Sequence, residues 1–81
     1  MNKDQARTII IEELSNIAPE VNFETIGADE DLMEALDIDS LDFLNFVSAL
    51  HKKTGVNVPE TDYRKLLTLD GAAAYLAGKA A

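Results

Sequence analysis

The chain has no cysteine, no tryptophan, a single histidine and only two prolines. Without cysteine it can form neither a disulfide framework nor a thiolate metal site, and a reducing compartment suits its composition. Any reactive thiol that it uses must come from another molecule. No apolar stretch approaches the roughly 20 residues of a membrane-spanning helix, and the N-terminus lacks the apolar region of a secretory signal. We therefore expect a cytoplasmic protein without stable membrane insertion.

Basic side chains are missing from a long stretch of the sequence. Between Glu20 and Asp42 there are nine carboxylates and neither lysine nor arginine, and the formal net charge of the chain is −8. Such a surface argues against nucleic acid and anionic membranes as partners, and we expect partners with basic docking surfaces. A solvated acidic loop that only keeps the protein soluble explains the composition equally well.

The length of 81 residues suits one small domain, which buries roughly 60% of the surface that its unfolded chain exposes. The composition, 47% hydrophobic and 27% charged, is that of a folded globular protein. We expect a single domain over residues 1–81, and a monomer. Neither end carries a long linker, which favours a free-standing protein over a segment of a larger synthase.

Hydrophobic periodicity predicts an all-α fold that begins with a helix over residues 4–17. Pro19 ends this helix, and the stretch to Leu36 is predicted to be a long loop with a short helical turn near residues 31–36, because a structureless loop of this length is unusual. The apolar stripe of the first helix comprises Ala6, Ile10, Leu14 and Ile17.

A second amphipathic helix is predicted over residues 40–54. Asp39 is a suitable N-cap, and Asp42 stands three residues later, where a capping box has its acidic residue. Gly55 favours the end of the helix. The spacing places on the buried face Phe43, Phe46, Val47 and Leu50, and on the opposite face Leu41, Asn45, Ser48 and Lys52.

The last part of the chain is predicted to contain two shorter helices. Val56 to Pro59 is too short to pair into a sheet and is interpreted as an extended connector. A brief third helix follows from Pro59-Glu60 to Leu66. Thr68 then caps a fourth, alanine-rich helix, and no strand pair is predicted.

Ser40 stands between carboxylates at the start of the second helix. A catalytic serine needs a base such as histidine to take its proton. The only histidine, His51, is eleven positions further along the same predicted helix, so it cannot reach the hydroxyl. We therefore predict no catalytic residues and no enzymatic activity, and expect that another protein activates Ser40.

The segments Asp39-Ser40-Leu41, Val56-Asn57-Val58-Pro59-Glu60 and Thr68-Leu69, followed by an alanine-rich helix, together resemble the acyl carrier proteins. The resemblance covers essentially the whole chain. It implies a four-helix bundle with a long loop between helices 1 and 2 and a short third helix.

In function, the resemblance implies that Ser40 carries a 4′-phosphopantetheine arm through a phosphodiester. The arm would hold acyl groups as thioesters during fatty acid or lipid biosynthesis. The implied partners are a phosphopantetheinyl transferase, which installs the arm from coenzyme A, and acyl-loading and acyl-transferring enzymes.

Two features depart from the family pattern. Fatty-acid carriers typically have glycine where this chain has Asp37, which predicts a differently bent approach loop, although aspartate tolerates a positive φ better than most residues. They also carry glutamates along the exposed face of the second helix, where this chain has Asn45, His51, Lys52 and Lys53. The partners are therefore expected to differ from those of the housekeeping carrier.

We predict that such specialised partners recognise the chain through four residues around the attachment serine and through the acidic loop before it. Leu41 is an apolar side chain on a polar face, which suits a docking contact. The four predicted recognition residues are Asp39, Leu41, Asp42 and Asn45.

Two alternatives compete with this interpretation of the function. An aminoacyl or peptidyl carrier is one, although many of those have a Gly-Gly pair before the motif that this chain lacks. A helical interaction adaptor whose Ser40 is never modified is another. A calcium loop starting at Asp37 fails, because Asp42 and Ser48 occupy the positions where an EF-hand needs glycine and glutamate. We predict no metal site.

Overall fold

The computed structural model describes residues 1–79, and in this range every regular element is a helix. The predicted all-α bundle with a long first connection is confirmed. The α-helices are α1 (Lys3–Ile17), α2 (Leu32–Leu36), α3 (Ser40–Thr54) and α4 (Leu69–Lys79), and two 3-10 helices cover Phe23–Thr25 and Glu60–Leu66.

Helix α1 begins one residue earlier than predicted because Asn2 and Gln5 form a capping box. The Asn2 side-chain oxygen accepts the Gln5 backbone N–H at 2.8 Å, and the Gln5 side-chain oxygen accepts the Asn2 N–H at 2.9 Å. This exchange satisfies two of the backbone donors that a helix start leaves unpaired. The buried stripe of α1 lies mainly against α4 and α3.

The connection between α1 and α3 is ordered by hydrogen bonds. The predicted turn near residues 31–36 is α2, whose start is capped by an Asp31 side-chain oxygen accepting the Met33 N–H at 2.9 Å. The Leu32 N–H donates to the Leu67 carbonyl at 2.7 Å, which ties the connection to the segment just before α4. The 3-10 turn that buries Phe23 was not predicted.

Helix α2 ends at Asp37, whose backbone is left-handed with φ 53° and ψ 48°. The Ile38 N–H donates to the Met33 carbonyl at 3.1 Å, and the Asp37 N–H to the Glu34 carbonyl at 3.2 Å. This pair of bonds is a Schellman motif, which requires a left-handed residue and usually takes glycine there. Aspartate was expected to tolerate a positive φ at position 37, and Asp37 adopts one.

The third predicted helix has the predicted bounds, but it is a 3-10 helix over Glu60–Leu66 rather than an α-helix. Its single fully buried side chain is Leu66. Helix α4 starts after Thr68 as predicted, with the Thr68 hydroxyl oxygen accepting the Gly71 N–H at 2.9 Å.

The hydrophobic core lies where α1, α3 and α4 meet, and the segments between them contribute further side chains. The residues predicted for the inner face of α3 are buried, and so are Leu69, Ala72, Ala73 and Leu76 of α4. Among residues 1–79 no polar or charged residue is buried, so the core holds no polar side chain that needs a partner. The largest fully buried side chains are Phe46, Ile10, Leu14, Leu32, Leu50, Leu66, Leu69 and Leu76.

Gly71 and Gly78 make a matched pair for a stability measurement within α4. A Cβ atom on Gly71 would lie 2.6 Å from the backbone oxygen of Lys65 and 2.9 Å from the Thr68 hydroxyl, whereas one on Gly78 meets nothing within 4 Å. We expect Gly71→Ala to lower the free energy of unfolding by about 1–3 kcal/mol despite its better helix propensity. Gly78→Ala should raise it by up to about 1 kcal/mol.

Denaturant unfolding of the two variants and the unmodified chain measures both effects. If Gly71→Ala is as stabilising as Gly78→Ala, the close approach of the 3-10 helix to α4 is wrong.

Candidate functional site

Ser40 is the first residue of α3, and its side chain is exposed. The Asp39 side-chain oxygen accepts the Asp42 backbone N–H at 2.9 Å, which confirms Asp39 as the N-cap. The Asp39 backbone carbonyl accepts the Phe43 N–H at 3.1 Å. The N–H groups of Ser40 and Leu41 remain without helical acceptors, so two donors and the positive end of the helix dipole lie beside the hydroxyl.

His51 lies in the same helix as Ser40, as predicted, and cannot act as its base. Eleven residues of α-helix separate the two by about 16 Å along the axis. The His51 Nδ1 is 3.1 Å from the Val56 carbonyl oxygen, an acceptor, so Nδ1 carries the hydrogen. The imidazole therefore donates a hydrogen bond to the backbone of the segment that follows α3.

The outward face of α3 has two exposed leucines. Leu41 is 66% exposed, as the helical spacing predicted, and Asn45 and Lys52 are exposed on the same face. Leu44 is 45% exposed, and its exposure was not predicted from the sequence. Its helical angle falls at the edge between the buried and exposed faces, and that position was the signal available for it.

A groove of about 290 Å³ opens beside Ser40, between α3 and the 3-10 helix Glu60–Leu66. Its surface is mostly apolar, and the lining residues include Ser40 and the charged Glu60 and Arg64. Neither Glu60 nor Arg64 was singled out from the sequence. The apolar part of the lining comes from Met33, Phe43, Leu44, Tyr63 and Leu67.

The groove wall formed by the 3-10 helix is held to α4 and α3 by specific contacts. The Tyr75 hydroxyl of α4 donates to the Asp62 carboxylate at 2.8 Å, and the Lys65 ammonium lies 3.3 Å from the other Asp62 oxygen. The Tyr63 ring packs edge-on against Phe43 with centroids 6.5 Å apart. These contacts fix the wall from both sides.

The hydrogen bond between Tyr75 and Asp62 shifts the pKa of both side chains. The Tyr75 hydroxyl lowers the pKa of the Asp62 carboxyl, and Lys65 acts in the same direction. Burial, with the bond to Asp62, raises the pKa of Tyr75 to about 12. Because the pKa of Asp62 is lower in the folded state, its ionised carboxylate stabilises the fold above the unfolded-state pKa of about 3.9. This contribution is lost as pH falls through the folded-state pKa. The Tyr75 contribution is complete below pH about 10 and is lost as pH rises through about 12.

An ultraviolet titration of the folded protein tests this bond, because the chain has two tyrosines. We expect one phenol to titrate near 12, and Tyr75→Phe to remove that component. Tyr63→Phe is the matched control and should leave it in place. Loss of the high component in Tyr63→Phe instead would contradict the assignment.

The predicted recognition residues converge at one end of α3. Asp39, Leu41 and Asp42 surround Ser40, and Asn45 follows one turn later. Across residues 1–79 the acidic side chains form no group able to hold a metal ion. Within these residues, none of the helices has both the length and the apolar composition of a membrane span.

These features fit a phosphopantetheine group on Ser40. The hydroxyl is accessible, two backbone N–H groups beside it can donate to a phosphodiester, and the apolar groove offers a surface to the rest of the arm. The three serines differ in this respect, because the Ser15 hydroxyl donates to the Ile11 carbonyl at 2.7 Å and Ser48 lies in the middle of α3.

Comparison with known proteins gives a consistent result. The family profile described as "Phosphopantetheine attachment site" matches residues 6–76. A protein named acyl carrier protein from Campylobacter hominis is 30% identical over 73 residues, covering 90% of this chain and 86% of the relative. One from Campylobacter curvus is 32% identical over 73 residues, covering 90% and 88%. The solved structure of an Enterococcus faecalis acyl carrier protein superposes with a TM-score of 0.81 at 19% identity, covering 98% of this chain and 99% of that one, which supports the same fold.

Proposed function

The chain belongs to the acyl carrier protein family, and from that membership we propose that Ser40 is the residue that carries its 4′-phosphopantetheine arm. The protein is an acyl carrier, and the arm is its covalent cofactor. The observation that supports Ser40 is its position: an exposed hydroxyl at the N-terminus of α3, at the edge of an apolar groove. Of the three serines, only Ser40 combines these features.

When bound, the arm supplies the thiol that the sequence lacks, and acyl groups are held on it as thioesters. The chain's own part is to hold the phosphodiester at the start of α3 and to offer the groove to apolar groups. His51 is out of reach of Ser40, so we expect the transferase to take the hydroxyl proton. We propose that the chain itself catalyses no step, in line with a family of carriers rather than catalysts.

Intact mass spectrometry tests the attachment. The purified chain is incubated with coenzyme A and a broad-specificity phosphopantetheinyl transferase. We expect a mass gain of one phosphopantetheine group, and fragmentation should locate it on the peptide that contains Ser40. An unchanged mass, or a group located on Ser15 or Ser48, would contradict the proposal.

We propose that partner enzymes, in the cytoplasm, dock on the end of α3 through Asp39, Leu41, Asp42 and Asn45. The exposure of Leu41 supports an apolar contact, and the carboxylates support a basic surface on the partner. No acidic residue follows Asp42 until Glu60, whereas Lys52 lies on the same outward face as Leu41. The partners of this carrier therefore meet an acidic, apolar end and a basic end of one helix.

The KM of the apo chain in the transferase reaction measures this docking. We expect Leu41→Ala and Asp39→Asn each to raise KM about three- to tenfold, roughly 0.7–1.4 kcal/mol per contact. Asparagine is also a good N-cap, so Asp39→Asn removes charge without removing the cap. Asp4→Asn, which makes the same charge change in α1, is the control, and an equal rise in that variant would sink the docking proposal.

A further inference from the structure

We propose that Arg64 is the positioning residue that binds the phosphodiester of the arm, across the groove from Ser40. This inference rests on the proposed attachment to Ser40. Arg64 lies in the 3-10 helix Glu60–Leu66, and both it and Ser40 line the same groove. Among the residues of that lining, Arg64 is the single basic one.

The local charge explains why a cation is needed there. Asp37, Asp39 and Asp42 all lie within three residues of Ser40, and a phosphodiester adds another negative charge to this cluster. Like charges that lie close together repel one another even in water. The helix N-terminus offsets part of the repulsion, but it supplies only partial charge.

The guanidinium of Arg64 is available for this contact. Within residues 1–79 the side-chain ion pairs are those of Lys3 with Asp70 and of Lys65 with Asp62. Glu60 lines the same groove four residues before Arg64, yet the two form no ion pair. Arginine suits a phosphate because its planar N–H groups can donate two parallel hydrogen bonds.

The backbone that carries Arg64 is also held in place. Residues on both sides of it are tied to the bundle, through the Tyr75 hydrogen bond to Asp62 and through the buried side chain of Leu66. Because the backbone is fixed and the arginine side chain is long and flexible, the guanidinium can contact the phosphodiester without displacing the 3-10 helix.

The chain offers an internal control for the experiment, because Arg7 and Arg64 are its two arginines. The ¹⁵N-labelled protein is examined by NMR through its two arginine Nε–H signals, first as the apo chain and then after conversion by coenzyme A and transferase. We expect the Arg64 signal to move on conversion and the signal of Arg7, an exposed residue of α1, to stay. The movement should shrink at about 1 M salt, where the screening length falls to about 3 Å.

Two further measurements distinguish an ionic contact from mere proximity of the arm. The ³¹P resonance of the phosphodiester should shift in Arg64→Gln and not in Arg7→Gln. Conversion from apo to holo should also lower the thermal midpoint by about 2–4 °C more in Arg64→Gln than in Arg7→Gln, the size of one exposed charge contact in a small domain. The apo midpoints report whether either variant is itself misfolded.

The outcomes separate this inference from the attachment. If the chain gains no mass, the attachment fails and the inference falls with it. If the arm is attached but the Arg64 signal stays, or the ³¹P resonance is the same in Arg64→Gln and Arg7→Gln, then Arg64 does not bind the phosphodiester, and only this inference is overturned.

Discussion

Replacing Ser40 by alanine is expected to abolish attachment of the arm, leaving the variant at its unmodified mass after long incubation with coenzyme A and transferase. The reason is chemical, because the phosphodiester forms at a hydroxyl that alanine lacks. Ser40 is exposed at the first position of α3, and its side chain forms no hydrogen bond in residues 1–79. The fold should therefore be retained, with a change in the free energy of unfolding within about 0.5 kcal/mol.

Ser48→Ala is the matched control for this result. Ser48 is another exposed serine of the same helix, and its replacement should leave modification at the rate of the unmodified chain. Mass spectrometry measures modification, and circular dichroism confirms that both variants are folded. A modified Ser40→Ala protein would show that the arm is attached elsewhere.

Phe46→Ala is expected to cost about 3–5 kcal/mol of unfolding free energy, the largest stability effect that we predict. The Phe46 side chain of α3 is fully buried, and its ring centroid lies 5.9 Å from the ring centroid of Phe43. Alanine leaves a cavity that the surrounding leucines fill only in part. A domain of 81 residues is stable by roughly 4–12 kcal/mol, so this loss can consume much of the total.

Urea denaturation measures the Phe46→Ala effect, and Leu44→Ala is its control. Leu44 lies two residues away in the same helix but is 45% exposed, so we expect a loss below about 1 kcal/mol. Equal losses in the two variants would mean that α3 presents a different face to the core.

The long helices could be predicted because strong local signals coincide with their burial. For α3, Asp39 as the N-cap, four apolar residues at helical spacing and Gly55 at the end all indicate the same bounds, Ser40–Thr54, and the structure has them. The same signals place Ser40 at the helix start and Leu41 on the outside. The position of Ser40, the proposed attachment residue, could thus be predicted from the sequence.

Other features depend on contacts between distant segments, which periodicity does not report. The third helix is of the 3-10 type, and its position is fixed in part by Tyr75, thirteen residues after Asp62. Leu44 and Arg64 face the groove only because this segment packs near α3. The sequence shows each residue, but not whether it lines the groove.

The Schellman motif at Asp37 has a consequence for how far the carrier can deliver its cargo. The end of α2 is closed at Asp37 and the start of α3 is capped by Asp39, with Ile38 alone between them. Ser40 therefore follows a short segment that is anchored at both ends. With the arm on Ser40, as we propose, movement of a tethered acyl group relative to the bundle would come from rotation within the arm, and a partner enzyme would need its reactive centre within one arm's length of Ser40.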